Sequence, residues 1–201
     1  MKKIFFLVCS SLLLFASCSD PKSGQPGTNV DSATVVQNND YLVSMEGIGV
    51  IKIGMTQTEL ENLLNQKFVL RNALDSAVSW QDSVKARYKN MDVTLFFQRS
   101  YTAENVYYMY LIGLRTTSPL CKTTSGISIG ADKLQIITAN EDNDIIMGPE
   151  YENVNDTTTT RSKTRYLISI KNDTGTRRIT FNLNNKKVVA IEVAIIFNDS
   201  E

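Results

Sequence analysis

The chain has 201 residues, with 21 Lys and Arg balanced by 21 Asp and Glu, and it contains no histidine. That length supports one sizeable domain or two small ones with real cores, and the even charge argues against nucleic acid, which demands a basic face. Without histidine, Ser-His-Asp and Cys-His catalysis and histidine-containing zinc sites are excluded as well.

At the start, Lys2 and Lys3 form a positive segment, Ile4 to Phe15 an apolar one, and Ala16-Ser17 places two small residues before Cys18. The apolar stretch is too short to cross a bilayer, so residues 1–17 read as a lipoprotein signal peptide, cut before Cys18. The small residues matter because the peptidase must reach the backbone beside the cysteine. Leu14-Phe15-Ala16-Ser17-Cys18 resembles the lipobox of bacterial lipoproteins, with Phe15 in place of leucine. The resemblance implies acyl chains (palmitate among them) on Cys18, each anchoring by about 0.8 kcal/mol per buried methylene. Cys18-Ser19-Asp20 is similar to the start of Bacteroidetes lipoproteins, which implies an outer-membrane address facing the periplasm or the cell surface. Cys9 leaves with the signal and Cys18 is acylated, so Cys121 stands alone and no internal disulfide can form.

Residues 18–40 are rich in Ser, Gly, Asn, Asp, Gln and Pro and read as a lipidated flexible tether, with a reach of roughly 25 Å. Within it, Asp31-Ser32-Ala33 resembles the O-glycosylation sites of exported Bacteroidetes proteins, which makes Ser32 the candidate acceptor.

From Tyr41 the chain reads as one unit used twice, over residues 41–120 and 121–201. Gly49-Val50-Ile51-Lys52-Ile53-Gly54 aligns with Ser125-Gly126-Ile127-Ser128-Ile129-Gly130 at an offset of 76 residues. Thr56 with Glu59, and Asp132 with Gln135, each have the spacing of a capping box. The helices that come next present Leu60, Leu63 and Leu64 in the first copy, and Ile136, Ile137 and Ala139 in the second. Strand-like runs succeed them, at about 84–89, 92–99 and 105–116, then 164–171, 177–184 and 187–197, separated by Asn- and Gly-containing turns. The stretch 149–163, rich in Asn, Thr and Asp, reads as a loop.

The Gly-Ile-x-Ile-Gly opening, a capped helix and three antiparallel strands resemble the SmpA/OmlA (BamE) lipoprotein fold, and a tandem pair resembles the β-lactamase inhibitor protein. The implied fold class is α+β, with two tandem helix-plus-antiparallel-sheet units. The implied task is protein binding in the cell envelope without catalysis. Unlike the inhibitor, this chain has no cysteine pairs to bridge its repeats, and BamE has one unit rather than two.

Strand alternation identifies the surface for that task. Val93, Leu95 and Phe97 are predicted inward, with Thr94, Phe96 and Gln98 outward. In the last strand of each copy the outward rows are Val106, Tyr108, Tyr110, Ile112, Leu114 and Val188, Ala190, Glu192, Ala194, Ile196. Phe96, Tyr108, Tyr110 and Ile112 thus form an aromatic-rich candidate binding face, with Trp80 as a further anchor.

No metal or cofactor motif is present. In Glu141-Asp142-Asn143-Asp144 the calcium-loop pattern fails, since Ile146 and Met147 stand where an oxygen ligand and glycine belong. No nucleophile motif surrounds any Ser or Thr. The expectation is a non-catalytic module that binds an envelope protein, without a cofactor. The alternative is a carrier of a small ligand, a glycan or lipid, in a pocket lined by Trp80 and tyrosines.

Overall fold

A computed structural model describes residues 39–70, 81–155 and 158–197. All of them belong to one compact unit, Gln37–Glu201. After a single 3-10 turn at Asn39–Tyr41 come three short strands, β1 (Leu42–Ser44), β2 (Gly47–Ile48) and β3 (Ile51–Lys52), then helix α1 (Gln57–Leu64). Strands β4 (Gln81–Tyr88), β5 (Met91–Tyr101), β6 (Tyr107–Thr116) and β7 (Lys122–Thr123) precede helix α2 (Lys133–Thr138). The chain continues through β8 (Ile145–Asn153), β9 (Thr159–Lys171), β10 (Arg177–Asn184) and β11 (Lys187–Ile195). No helix among the described residues is long and apolar enough to cross a membrane.

The expected pair of helix-plus-sheet units is not what these strands build. They form one seven-stranded antiparallel sheet, in the order β4-β5-β6-β11-β10-β9-β8, and a small sheet in the order β3-β2-β1-β7. The two helices are short, and the fold is mostly β. The seam is β6 against β11, where Gly113 pairs with Ala194 and Thr116 with Ile191. Alone, the three-strand run β4-β5-β6 and the four-strand run β8-β9-β10-β11 would each leave one side of its last strand unpaired, and pairing the two edges satisfies both. The small sheet escapes sequence reading because strands of two or three residues carry no periodicity.

The repeated opening is preserved in local geometry. Gly54 and Gly130 adopt φ of 93° and 87°, a region that a Cβ disfavours. Each donates its N–H to a sheet carbonyl at 2.8 Å, Gly54 to Leu111 and Gly130 to Val188. The same sheet residues donate back, Leu111 to the Met55 carbonyl at 2.8 Å and Val188 to that of Ala131 at 2.9 Å. Thr56 and Asp132 then cap their helices with full capping boxes to Glu59 and Gln135. These caps satisfy N–H groups the first turn would otherwise leave open. They point Leu60 and Ile136, both fully buried, into the core.

That core lies between the inner sheet face and the layer made by the helices and the small sheet. Phe97, Phe181, Leu95, Leu111, Leu114, Ile168 and Ile191 are its largest residues from the seven-stranded sheet. Leu63 points away from it, 41% exposed, because an eight-residue helix offers the core only a narrow stripe. Two further expectations are corrected by β-bulges. The register shifts between Phe96 and Phe97 against β6, and between Asn182 and Leu183 against β11. An extra residue reverses the in-out phase, so Leu114 and Val188, expected outward, are core residues. The stretch expected as a loop at 149–163 instead contributes to the β8–β9 hairpin, which pairs Tyr151 with Arg161 and Asn153 with Thr159. Polar composition does not oppose a strand at a sheet edge, where one side meets water.

Candidate functional site

The outer face of the large sheet is built in rows. One row crosses all seven strands, from Lys85 through Thr94, Arg115, Glu192, Thr180 and Ser169 to Ile146. The next runs Ser83, Phe96, Gly113, Ala194, Arg178 and Lys171. Beyond it Gln98 pairs with Tyr110, and Ser100 with Tyr108. Phe96, Tyr108 and Tyr110 therefore share the outer face, as alternation predicts.

None of Phe96, Ile112, Tyr108 or Tyr110 belongs to the core cluster. Their exposures differ. Tyr108 is 38% exposed, Phe96 and Tyr110 are half-buried, and Ile112 is 7% exposed. Ile112 is the extra residue of the bulge, opposite the Phe96–Phe97 step, and it offers a partner almost no surface. The Tyr108 and Tyr110 rings lie 6.1 Å apart at 46°, a tilted aromatic pair. Burial pushes the Tyr110 phenol upward, and the neighbouring Tyr108 adds to it. Gly113 sits beside Phe96 because a Cβ there would come within 3.0 Å of the Val193 carbonyl and 3.1 Å of the Ala194 Cβ. The Arg115 guanidinium stands 5.9 Å from the Phe96 ring centroid. Arg115 also pairs with Glu192 at 2.7 Å across the seam.

Two aromatic residues not singled out by the sequence lie at the tip of the same hairpin. Tyr101 and Tyr107 pair across the β5–β6 ladder and are 48% and 46% exposed. Their pairing is the result of alternation carried past Phe97 to the turn at residues 102–106, where Thr102 donates to the Val106 carbonyl at 2.8 Å. They face the opposite way from Tyr108, so the tip is aromatic on both sides. Trp80, Cys18 and Ser32 lie outside the described residues.

Cys121 is fully buried, with its Sγ 3.2 Å from the Met91 sulfur, and burial pushes its thiol upward, away from the reactive thiolate. Among the described residues no three Cys, Asp or Glu side chains gather as metal ligands would. The chemistry on offer at the aromatic face is contact area, hydrogen bonding through phenols, and cation–π recognition. Compared with protein-family models, curated proteins and solved structures, the chain has no match.

Proposed function

We propose that this chain is a non-catalytic binding module, tethered to the outer membrane through acylated Cys18, that holds an envelope protein against the outer face of its large sheet. The observation that carries this reading is the Tyr108–Tyr110 pair with Phe96, on a face whose aromatic side chains take no part in the core cluster. Rings of this kind give large contact area at low rotamer cost. The basic-apolar start ending in Ala16-Ser17-Cys18 supports the membrane address. The Ile-x-Ile-Gly opening shared by both halves supports kinship in task with envelope binding proteins.

The test is a crosslinked pull-down of the anchored protein from intact envelopes, read by mass spectrometry, for the natural chain and for the double variant Tyr108→Ala, Tyr110→Ala. One stoichiometric protein partner is expected, lost in the variant while the thermal midpoint hardly moves. A midpoint lowered by more than roughly 4 °C corresponds to over about 1 kcal/mol. That outcome would make the tyrosines structural and overturn the site.

A further inference from the structure

Charge is spread unevenly along the strands. The turn at Lys89 and Asn90 joins β4 to β5, and the turn at Asn185 and Lys186 joins β10 to β11. The ladders put both turns at one end of the large sheet, because Val93 and Ile191 both pair with Thr116. At that end Lys133, Lys163 and Lys186 surround one hollow of about 420 Å³. Lys122 lies there too, paired with Leu42, and Arg161 stands where β9 runs past the β10–β11 turn. All five cations are exposed, and none has an ion pair among the described residues. The carboxylates around them are already engaged: Asp40 by Lys89, Asp92 by Arg87, Asp132 by Lys187, and Glu150 and Glu152 by Arg165. The other end is the reverse. Its turns, at 102–106, 139–144 and 172–176, carry Glu104, Glu141, Asp142, Asp144 and Asp173, all exposed and without an ion pair among the described residues. Against these five carboxylates stand Arg99, Lys171 and Arg178, while Arg177 is held by Glu46. A chain of zero formal net charge is thus basic at one end of its sheet and acidic at the other.

The chain enters the fold at the basic end. Asp40 pairs with Lys89, and the Tyr41 hydroxyl donates to the Asn90 Oδ1 at 2.8 Å. Residues 18–40 therefore lead from Cys18 to this end, with the reach of roughly 25 Å that their composition gives. β5 has 11 residues, which places the acidic end roughly 35 Å further on. With the acidic end on the membrane, the point of entry would stand beyond that reach. With the basic end there, it lies at the surface. Anionic headgroups would also repel the five free carboxylates, whereas they attract every unpaired lysine brought near them. Exposed apolar groups flank the cations: Leu134 beside Lys133, and Tyr151 and Val154 in the part of the β8–β9 hairpin that overhangs the β10–β11 turn. Lysines with apolar and aromatic neighbours suit the headgroup boundary, where the one finds phosphate and the other the edge of the acyl region. A small soluble anion would use the lysines alone, and would give no role to Leu134, Tyr151, Val154 or the point of entry.

We propose that the basic end rests on anionic phospholipid headgroups of the membrane that holds the anchor. The proposal rests on acylation of Cys18, and it leaves the Tyr108–Tyr110 face, toward the acidic end of β6, clear of the membrane. The test places the purified full chain on vesicles of phosphatidylcholine alone or mixed with phosphatidylglycerol, and follows acetylation of each lysine by mass spectrometry. Lys133, Lys163 and Lys186 should react roughly fivefold more slowly on the anionic vesicles, with the difference erased by high salt. Lys171, at the opposite end, should react alike on both. In Lys163→Gln, Lys186→Gln the protection of Lys133 should disappear, and since both substituted side chains are exposed, the thermal midpoint should hold. Tyr108→Ala, Tyr110→Ala should be protected as the natural chain is. Equal reactivity of the three lysines on both vesicles would overturn the proposal, and so would full protection of Lys133 in the double lysine variant. Flotation reads the anchor separately. A chain that stays down with neutral vesicles lacks the anchor, and the basic end alone should then float it with anionic ones, an effect the double lysine variant loses. Flotation with neither would overturn the proposal.

Discussion

Helices α1 and α2 begin alike and end differently. Both are introduced by a positive-φ glycine bonded to the sheet and by a complete capping box. After α1, Asn65 turns the chain in a left-handed conformation and residues 66–70 fold back over the sheet. Phe68 closes that end, its ring 6.1 Å from Phe97. The Glu61 carboxylate fastens the return by accepting from Lys67 at 2.7 Å, Gln57 at 2.8 Å and the Phe68 N–H at 3.0 Å. After α2 there is no such return: buried Asn140 donates its Nδ2 to the Ile136 carbonyl at 2.8 Å, and the chain passes through residues 141–144 straight into β8. Where a helix starts decides how it docks. The path of the chain beyond its last turn decides which side chains close the face beneath.

The largest test of this contrast is Phe97→Ala. It removes a fully buried ring at the sealed end and should cost about 3–5 kcal/mol in chemical denaturation. A loss below about 1 kcal/mol would mean that the seal contributes little. A more even result is expected at the helix starts. Thr56→Ala and Asp132→Ala should each cost about 1 kcal/mol, since each removes the same kind of bond to an N3 amide. A clear inequality between the two would show that the starts are alike in geometry and unlike in energy.

The smallest effect belongs to Glu61. Lys67 first, then Gln57 and the Phe68 N–H, lower its carboxyl from the ordinary 4.5 to about 2. A folded pKa below the unfolded one contributes stability that is complete above the unfolded value and lost as pH falls through the folded one. Unfolding measured against pH should therefore show a stability loss between about pH 4.5 and 2 that Glu61→Gln flattens. An unchanged acid limb in that variant would assign the loss to other carboxyls.

What could be read from the sequence was what short-range chemistry decides. Thr56-x-x-Glu59 and Asp132-x-x-Gln135 cap where their spacing says, and the alternation in 177–184 buries Ile179, Phe181 and Leu183. The aromatic row was legible for Phe96, Tyr108 and Tyr110 because they share an unbroken phase. It failed for Leu114 and Val188, beyond bulges that no residue type announces. The fusion of both halves into one sheet was not legible, because β6 and β11 are each plausible edges until they are brought together.

The seam between β6 and β11 also bears on the order of events in time. It holds four residue pairs, against nine between β5 and β6. Its partners Arg115 and Glu192 are 77 positions apart, whereas the β5–β6 hairpin closes locally at its turn. Bringing such distant segments together costs about 2 kcal/mol more loop entropy than closing a hairpin, for fewer ladder bonds in return. Hairpins therefore accumulate on both sides before the seam can join them, and contacts of this separation slow a β-rich chain. β11 lies in the interior of the sheet and is the last of the described strands. On a growing chain, β6 waits with an unpaired edge until residues 187–195 have emerged.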